Sequence, residues 1–117
     1  MEKNDALHAL AALGQETRLD VFRLLVKAGN EGMTAGAIAE ALEVLPNTLS
    51  THLAGLSRSG LVKAEREGRS IHYRSNLDTM QQLVTYLLQD CCGGNPELCA
   101  PILKIVGTDA SQEDGSC

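Results

Sequence analysis

One segment near the middle of the chain constrains the fold more than any other. Apolar residues recur there at helical spacing, at Leu49, Leu53 and Leu56, which predicts a helix with one buried stripe. Pro46 suits the first position of this helix, where a missing N–H is tolerated, and Gly60 is a stop signal. Short hydrogen-bonding side chains occupy the opposite face, namely Asn47, Thr48, Ser50, Thr51 and His52, although His52 could instead be a capping or packing residue. Such groups can pair with base edges or phosphates in a DNA groove, whereas an ordinary solvated face carries Glu and Lys.

A shorter helix is predicted immediately before this segment. Thr34 fits an N-cap, and Ile38, Ala41 and Leu42 are expected to face inward. Only residues 43–45 separate the two helices. Two helices joined by so short a turn predict a helix-turn-helix, whose second helix enters the major groove of DNA.

A β-hairpin is predicted directly after the helix-turn-helix. Residues 61–66 and 70–75 have the pattern of strands, and residues 67–69 form the turn between them. The arginines close to this turn, Arg66 and Arg69, are expected to reach phosphates beside the groove. A hairpin in this position is a wing, so the predicted module is a winged helix-turn-helix.

The rest of the chain is predicted to be mainly helical. Helices over residues 5–13 and 16–28 precede the module, residues 29–33 form a loop, and a strongly apolar helix runs over residues 77–92. The chain has no Trp, one Phe and two Tyr, and this composition disfavours an all-β core. The predicted fold class is mainly α, an α+β winged helix with four helices, a hairpin and a fifth helix in that order.

The length of 117 residues predicts one domain with a short extension. Residues 1–92 are predicted to form the DNA-binding and dimerisation domain, residues 93–106 a cysteine-bearing segment, and residues 107–117 a disordered tail. No run of about 18 or more apolar residues occurs, so no membrane partner is expected. The first residues lack the basic flank and apolar stretch of a signal peptide, so we expect a cytoplasmic protein.

The charge of the chain is unevenly distributed. The formal net charge is −5, which alone argues against nucleic acid as a partner. Residues 44–75, however, carry five basic residues against two glutamates, whereas residues 1–43 and 76–117 are both acidic. A basic segment in an acidic chain is an electrostatic footprint, because the field that phosphates meet is local. Together with the polar helix face it predicts binding to double-stranded DNA, with Arg58 added to the contact residues named above.

Three of the four cysteines lie close together. Cys91, Cys92 and Cys99 fall within nine residues, and Cys117 is the last residue. Without a secretion signal, reduced thiols are expected instead of disulfides. Clustered thiols indicate a site for a soft metal or metalloid, or redox chemistry. A thiol-dependent enzyme is disfavoured, because the sequence has neither a phosphate-binding loop nor a Cys-x-x-Cys in a βαβ unit.

Two stretches of the sequence resemble a known family. Residues 10–19 resemble the opening of the ArsR/SmtB family of bacterial metal-responsive repressors. Residues 47–56, followed by 60–62 and 68–69, resemble the recognition helix and wing of that family. The resemblance extends over roughly residues 5–90. It implies a homodimer that binds a palindromic operator and represses transcription.

The predicted fifth helix gives such a dimer a physical rationale. Its apolar residues lie on more than one face, and a single domain of this size has little core to cover so wide a stripe. Pairing with the first helix and with a symmetry mate would bury it. The residues predicted at the dimer surface are Leu7, Leu10, Leu77, Met80, Leu83, Val84 and Leu87. Two recognition helices would then address half-sites about 34 Å apart.

The resemblance also implies possible positions for an inducer. Arsenic and cadmium sensors of the family often carry a Cys-x-Cys pair at the start of the third helix, where residues 34–38 here contain no cysteine. Zinc sensors use Asp and His early in the fifth helix, with His and Glu near its end. Here Asp78 has no histidine beside it, and Gln89 and Asp90 occupy the far end. A zinc site of that kind is therefore not expected.

The clustered cysteines remain as the candidate inducer site. Some arsenic sensors of the family resemble this arrangement, with an adjacent Cys pair and a third Cys just beyond the dimer helix. Trivalent arsenic forms three bonds, so Cys91, Cys92 and Cys99 would complete its shell, whereas structural zinc takes four ligands. We therefore expect As(III), or Sb(III), to be the inducer that releases the operator. Cadmium, lead and thiol oxidation are the alternatives.

Overall fold

The computed structural model describes residues 1–89 of the chain. The predicted segments 93–106 and 107–117, and with them all four cysteines, lie outside the described residues. Within the described part there are five α-helices and three β-strands, in an order that confirms the predicted fold class. Their bounds are α1 Lys3–Leu13, α2 Glu16–Ala28, β1 Met33–Thr34, α3 Ala35–Leu42, α4 Pro46–Arg58, β2 Val62–Glu67, β3 Ser70–Ser75 and α5 Leu77–Leu88, with a 3-10 turn at Gly29–Glu31.

Strands β2 and β3 form the predicted hairpin, which we call the wing. They pair antiparallel from Val62 opposite Ser75 to Glu67 opposite Ser70. Strand β1 pairs with the other side of β3, so the sheet order is β1-β3-β2. The loop predicted over residues 29–33 is therefore wrong at its end. A strand of two residues is too short to leave an alternating pattern in the sequence.

Strand β1 leads directly into α3. Thr34 pairs with His72 in the sheet. Its Oγ1 also accepts a hydrogen bond of 3.2 Å from the N–H of Ala37, which confirms the predicted N-cap. Just before the strand, Gly32 has a φ of 66°, and a Cβ there would meet the carbonyl oxygen of Tyr73 at 2.5 Å. Only glycine allows the backbone to turn this close to β3.

The core lies where α1, α2, α3 and α4 meet the start of β2, and α5 contributes Leu83 to it. Its largest fully buried side chains are Val21, Leu25, Ile38, Leu49, Leu56 and Leu61. The buried stripe predicted for α4 is confirmed, since Leu53 is only 3% exposed. The prediction for α3 is wrong at one position. The face of α3 that packs against the core carries Ile38 and Leu42, which are four residues apart. Ala41 lies on the outer, exposed side of the helix.

Helix α1 faces the core with alanines instead of leucines. Ala6, Ala9 and Ala12 are all at most 4% exposed. These small side chains let the helix backbone approach its neighbours closely. Leu7 and Leu10 consequently remain on the surface of the chain.

Helix α5 ends earlier than predicted. Its last residue is Leu88, and Gln89 has an extended backbone with φ −63° and ψ 140°. Leu88 is also the last apolar residue of the stripe, and polar residues follow it at 89–90. The sequence predicts that the helix continues to Cys92, and the part of that prediction from residue 90 onward lies outside the described residues.

Candidate nucleic-acid interface

The helix-turn-helix is built from α3 and α4. Glu43 ends α3 in the left-handed conformation, with φ 56°, and its N–H donates to the carbonyls of Ala39 and Glu40. Leu45, which precedes α4, is 74% exposed and supplies no side-chain cap to the first turn of that helix. The backbone donors of the first turn of α4 are thus left without a side-chain cap.

The face of α4 opposite its leucines is exposed and polar. Among the predicted DNA contacts, Asn47, Thr48, Ser50, Thr51 and Arg58 are all exposed. Within residues 1–89, one of their side chains is engaged, because the Thr51 hydroxyl lies 3.4 Å from the carbonyl oxygen of Asn47. The structure therefore presents Asn47, Thr48, Ser50 and Thr51 on the first two turns of α4, whereas Arg58 lies at the far end of the helix, beside a cleft that His8 of α1 also lines.

His52 differs from the other residues of this face. It is half-buried, and its Nδ1 accepts a hydrogen bond of 3.2 Å from Nε of Arg18 on α2. Gly55, one turn further along α4, lies beneath the same guanidinium. Sequence reasoning did not single out Arg18 as a functional residue. The only local signal is the glycine itself, which is unfavourable inside a helix unless something packs against it closely.

The wing provides exposed cations next to α4. Arg66, Arg69 and Lys63 are exposed and form no ion pair with another residue of the described range. Arg66 lies on β2, and Arg69 follows the turn glycine Gly68, which has a φ of 66°. These side chains can reach the phosphates beside a groove that α4 occupies.

Arg74 has a different role from the other basic residues of the wing. Its guanidinium pairs with Glu65 and, at 2.8 Å, with Glu67. Its Nε also donates to the carbonyl oxygen of Asn30 at 2.5 Å. The arginine therefore ties the hairpin to the 3-10 turn before β1, and its charge is already balanced by two carboxylates.

An apolar surface lies on α1 and α5, away from the polar face of α4. Leu7, Leu10, Leu77 and Leu87 are between 42% and 56% exposed in the single chain. The other residues predicted at a dimer surface are more buried. Met80 and Val84 are half-buried, and Leu83 is only 3% exposed and belongs to the core of its own chain. Of the residues predicted at the dimer surface, the four leucines at 7, 10, 77 and 87 are therefore exposed in the single chain, whereas Leu83 packs in its core.

The cysteines predicted to bind the inducer, Cys91, Cys92 and Cys99, lie outside the described residues. Within residues 1–89 there is no group of three or more His, Cys, Asp or Glu side chains arranged to hold a metal ion. None of the helices in this same range is long and apolar enough to cross a membrane.

Sequence comparisons relate the chain to known regulators. Residues 13–65 match a family described as a helix-turn-helix domain. The chain is 32% identical over 97 residues to the transcriptional activator HlyU of Vibrio cholerae, which covers 81% of this chain and 87% of that protein. It is 31% identical over 87 residues to the transcriptional repressor SdpR of Bacillus subtilis, covering 74% of this chain and 93% of that protein.

Solved structures agree with these relatives. An ArsR-like transcriptional regulator from Rhodococcus sp. RHA1 matches with a TM-score of 0.67 and 26% identity, over 87% of this chain and 92% of that chain. The homodimeric winged helix-turn-helix DNA-binding domain Mb0332 from Mycobacterium bovis matches with a TM-score of 0.61 and 29% identity, over 73% and 77%. The relatives are transcriptional regulators with DNA-binding folds and not enzymes. The chain therefore belongs to the winged helix-turn-helix transcriptional regulators of the ArsR/HlyU type.

Proposed function

We propose that this regulator is a homodimeric repressor that binds a palindromic operator and releases it when its C-terminal cysteines capture trivalent arsenic. The observation that carries the DNA-binding part is the surface of α4. It presents Asn47, Thr48, Ser50 and Thr51 together, with Arg58 at the end of the same helix. Short polar groups on one helix face are suited to hydrogen bonds with base edges in the major groove.

The charges around this face support contacts to the DNA backbone. Arg66 and Arg69 on the wing are free of carboxylate partners within the described residues. The first turn of α4 has no side-chain cap, and exposed backbone N–H groups at a helix N-terminus attract phosphate. The net charge of −5 does not oppose this, because the acidic residues lie mostly in the other parts of the sequence.

The exposed leucines of α1 and α5 support a dimer. Fully burying a leucine stabilises an assembly by about 1.5–3 kcal/mol, and four leucines of α1 and α5 remain about half-exposed in the single chain. One relative of known structure is described as homodimeric. A two-fold dimer through this surface would present two copies of α4 to half-sites about 34 Å apart.

The chemistry of the cysteines supports arsenic as the inducer. Cys91, Cys92 and Cys99 offer three thiolates, which match the three bonds of As(III) or Sb(III) and leave tetrahedral zinc one ligand short. Cys91 follows the last residue of α5 by three positions. Closing a three-sulfur site there would act next to the helix that carries Leu87 of the dimer surface. An allosteric coupling of about 1–3 kcal/mol would weaken operator binding roughly 5- to 150-fold.

Fluorescence anisotropy under anaerobic conditions can measure binding of the protein to DNA from its own promoter region. The same measurement, with and without the inducer, tests both DNA binding and release by arsenic. We expect arsenite and antimonite to release the operator, and a Cys91→Ser/Cys92→Ser/Cys99→Ser triple variant to bind DNA normally but not to respond. Cys117→Ser is the matched control and should behave like the wild type. Release by cadmium, lead or peroxide alone would replace arsenic by one of those signals, and release of the triple variant by arsenite would refute the site.

The relatives include one protein described as an activator and one described as a repressor, so the direction of regulation needs its own test. In transcription from the bound promoter with purified polymerase, we expect the protein to reduce transcript and arsenite to restore it. An increase of transcript on adding the protein alone would refute repression while leaving DNA binding intact.

A further inference from the structure

We propose that Arg18 is a positioning residue for the recognition helix: it holds His52 in the single neutral tautomer whose Nε2–H is free to donate to the operator. The proposal deepens the proposed function, and it rests on α4 being the DNA-reading helix. It concerns a residue of α2 that is outside the polar face and the wing, so it assigns a DNA-related role where the sequence alone indicates none.

The hydrogen bond between the two side chains determines where the imidazole proton lies. Nε of Arg18 and Nδ1 of His52 are 3.2 Å apart and join residues 34 positions apart in the chain. A guanidinium only donates and stays charged, so Nδ1 has to be the acceptor and carries no proton. In the neutral ring the proton is then on Nε2, which becomes a hydrogen-bond donor.

The Nε2 atom of His52 is open to a ligand. Among residues 1–89 it has no hydrogen-bond partner, and it is not one of the buried polar atoms that lack a partner. No residue of the described range therefore keeps a ligand from this atom by pairing with it. Thr48, one turn earlier on α4, and Thr51, the preceding residue, are both exposed and belong to the predicted reading face. A donor at this position can pair with a phosphate oxygen or with N7 or O6 of guanine.

Gly55 is the second, independent observation. It is buried in the interior of α4, where glycine costs roughly 1 kcal/mol relative to alanine. A Cβ at this position would meet Cζ and Nη2 of Arg18 at 3.0 Å and Nε at 3.2 Å. The missing side chain therefore makes the space in which the guanidinium lies against the recognition helix.

The backbone of Arg18 is fixed as well. Its N–H donates to the side-chain oxygen of Gln15, the N-cap of α2, at 2.9 Å. Its guanidinium forms no ion pair with a carboxylate of the described residues, where the ion pairs involve only His72 and Arg74. The backbone of Arg18 is thus held by its own helix, while its guanidinium contacts His52 and Gly55 on α4, which is the arrangement a positioning role requires.

The first test reads the tautomer directly. Long-range proton–nitrogen correlation spectra of the full-length protein, labelled with ¹⁵N-histidine, distinguish Nε2–H from Nδ1–H rings, and loss of a signal in His52→Asn identifies His52. We expect the Nε2–H pattern in the wild type and a mixture of tautomers in Arg18→Met. An Nδ1–H ring in the wild type, or an unchanged pattern in Arg18→Met, would overturn the proposal.

The second test separates positioning from stability. Gly55→Ala should keep or raise the thermal stability, because alanine favours the helix and only the flexible end of Arg18 has to move. The displaced guanidinium should nevertheless weaken operator binding about three- to tenfold, as expected for the loss of one ordered hydrogen bond. Gly36→Ala in α3 is the matched control, since a Cβ there meets nothing within 4 Å, and it should leave affinity unchanged.

A double-mutant cycle identifies the route of the effect. If Gly55 acts through Arg18, the variant carrying both Gly55→Ala and Arg18→Met should bind no more weakly than Arg18→Met alone. Additive losses, or unchanged affinity in both single variants, would contradict the proposal. A wild-type protein that binds no DNA would refute the proposed function instead, whereas the tautomer of His52 would still report whether Arg18 holds the ring.

Discussion

Replacing Arg74 by methionine should loosen the wing and lower its stability. It should not change the salt dependence of operator binding, which reports the number of phosphate contacts. The guanidinium of Arg74 pairs with Glu65 and Glu67 and donates to the carbonyl of Asn30. Methionine keeps most of the apolar stem but removes all three contacts. It also leaves Glu65 and Glu67 on the same face of β2 without the guanidinium between them, and of the two only Glu67 keeps a described partner, His72 at 3.8 Å.

The size of the effect follows from the exposure of the partners. The Arg74 side chain is 26% exposed, but the two carboxylates are 48% and 61% exposed, so solvent screens both pairs. Each such pair contributes about 0.2–1 kcal/mol, and the charged hydrogen bond to Asn30 adds to this. We expect a total loss of about 1–2 kcal/mol, which lowers the Tm of a domain of this size by roughly 5–15 °C.

Thermal unfolding by circular dichroism, at one fixed protein concentration, measures the stability of the variant. Operator binding over a series of salt concentrations measures the number of phosphate contacts. Arg69→Ala is the matched control on the same wing. It should leave the Tm nearly unchanged but reduce the slope of log K against log salt by about 0.9, the loss of one phosphate contact. If Arg74→Met reduced the slope and left the Tm unchanged, the reasoning would be refuted, because Arg74 would then contact DNA instead of holding the hairpin.

Three further substitutions test the core, the sheet and the apolar surface. Leu56→Ala should lower the free energy of unfolding by about 2–5 kcal/mol in urea titrations, because this side chain is fully buried, and a loss below 1 kcal/mol would contradict its place in the core. Gly32→Ala should destabilise the fold by more than about 1 kcal/mol, since its φ is 66° and a Cβ would meet the Tyr73 carbonyl. Leu87→Glu, at a position 53% exposed in the single chain, should raise the dimer dissociation constant at least about tenfold in sedimentation velocity, and an unchanged distribution would place the interface elsewhere.

The parts of the fold with long, regular patterns are predictable from the sequence. Helix α2 begins and ends where predicted, α4 begins at Pro46 as predicted, and the second strand of the hairpin covers the predicted residues 70–75, because each combines periodicity with a clear stop signal. The first strand of the hairpin is shifted by one residue from the predicted 61–66, to Val62–Glu67. The side of a helix that faces its own core is harder to predict. In α1 the leucines indicate an apolar face, but the pattern does not say whether that face meets its own core or a partner, and the buried residues are alanines.

The candidate site is predictable only in its local part. The polar face of α4 and the wing arginines follow from residues close together in the sequence. The contact between Arg18 and His52 joins two helices across 34 positions, and no periodicity encodes it. Leu83 illustrates the same limit, because α5 is apolar on more than one side and only packing decides that this residue belongs to the core.

The double role of Thr34 has a mechanical consequence. The residue closes the sheet against His72 and at the same time caps α3, so the wing and the helix-turn-helix share one residue and have no hinge between them. A wing attached in this way is expected to move together with α3 as long as these two contacts hold. In the proposed function, an inducer would therefore act more readily by tilting or separating the two winged-helix domains of a dimer as rigid bodies than by folding the wing away from the phosphates.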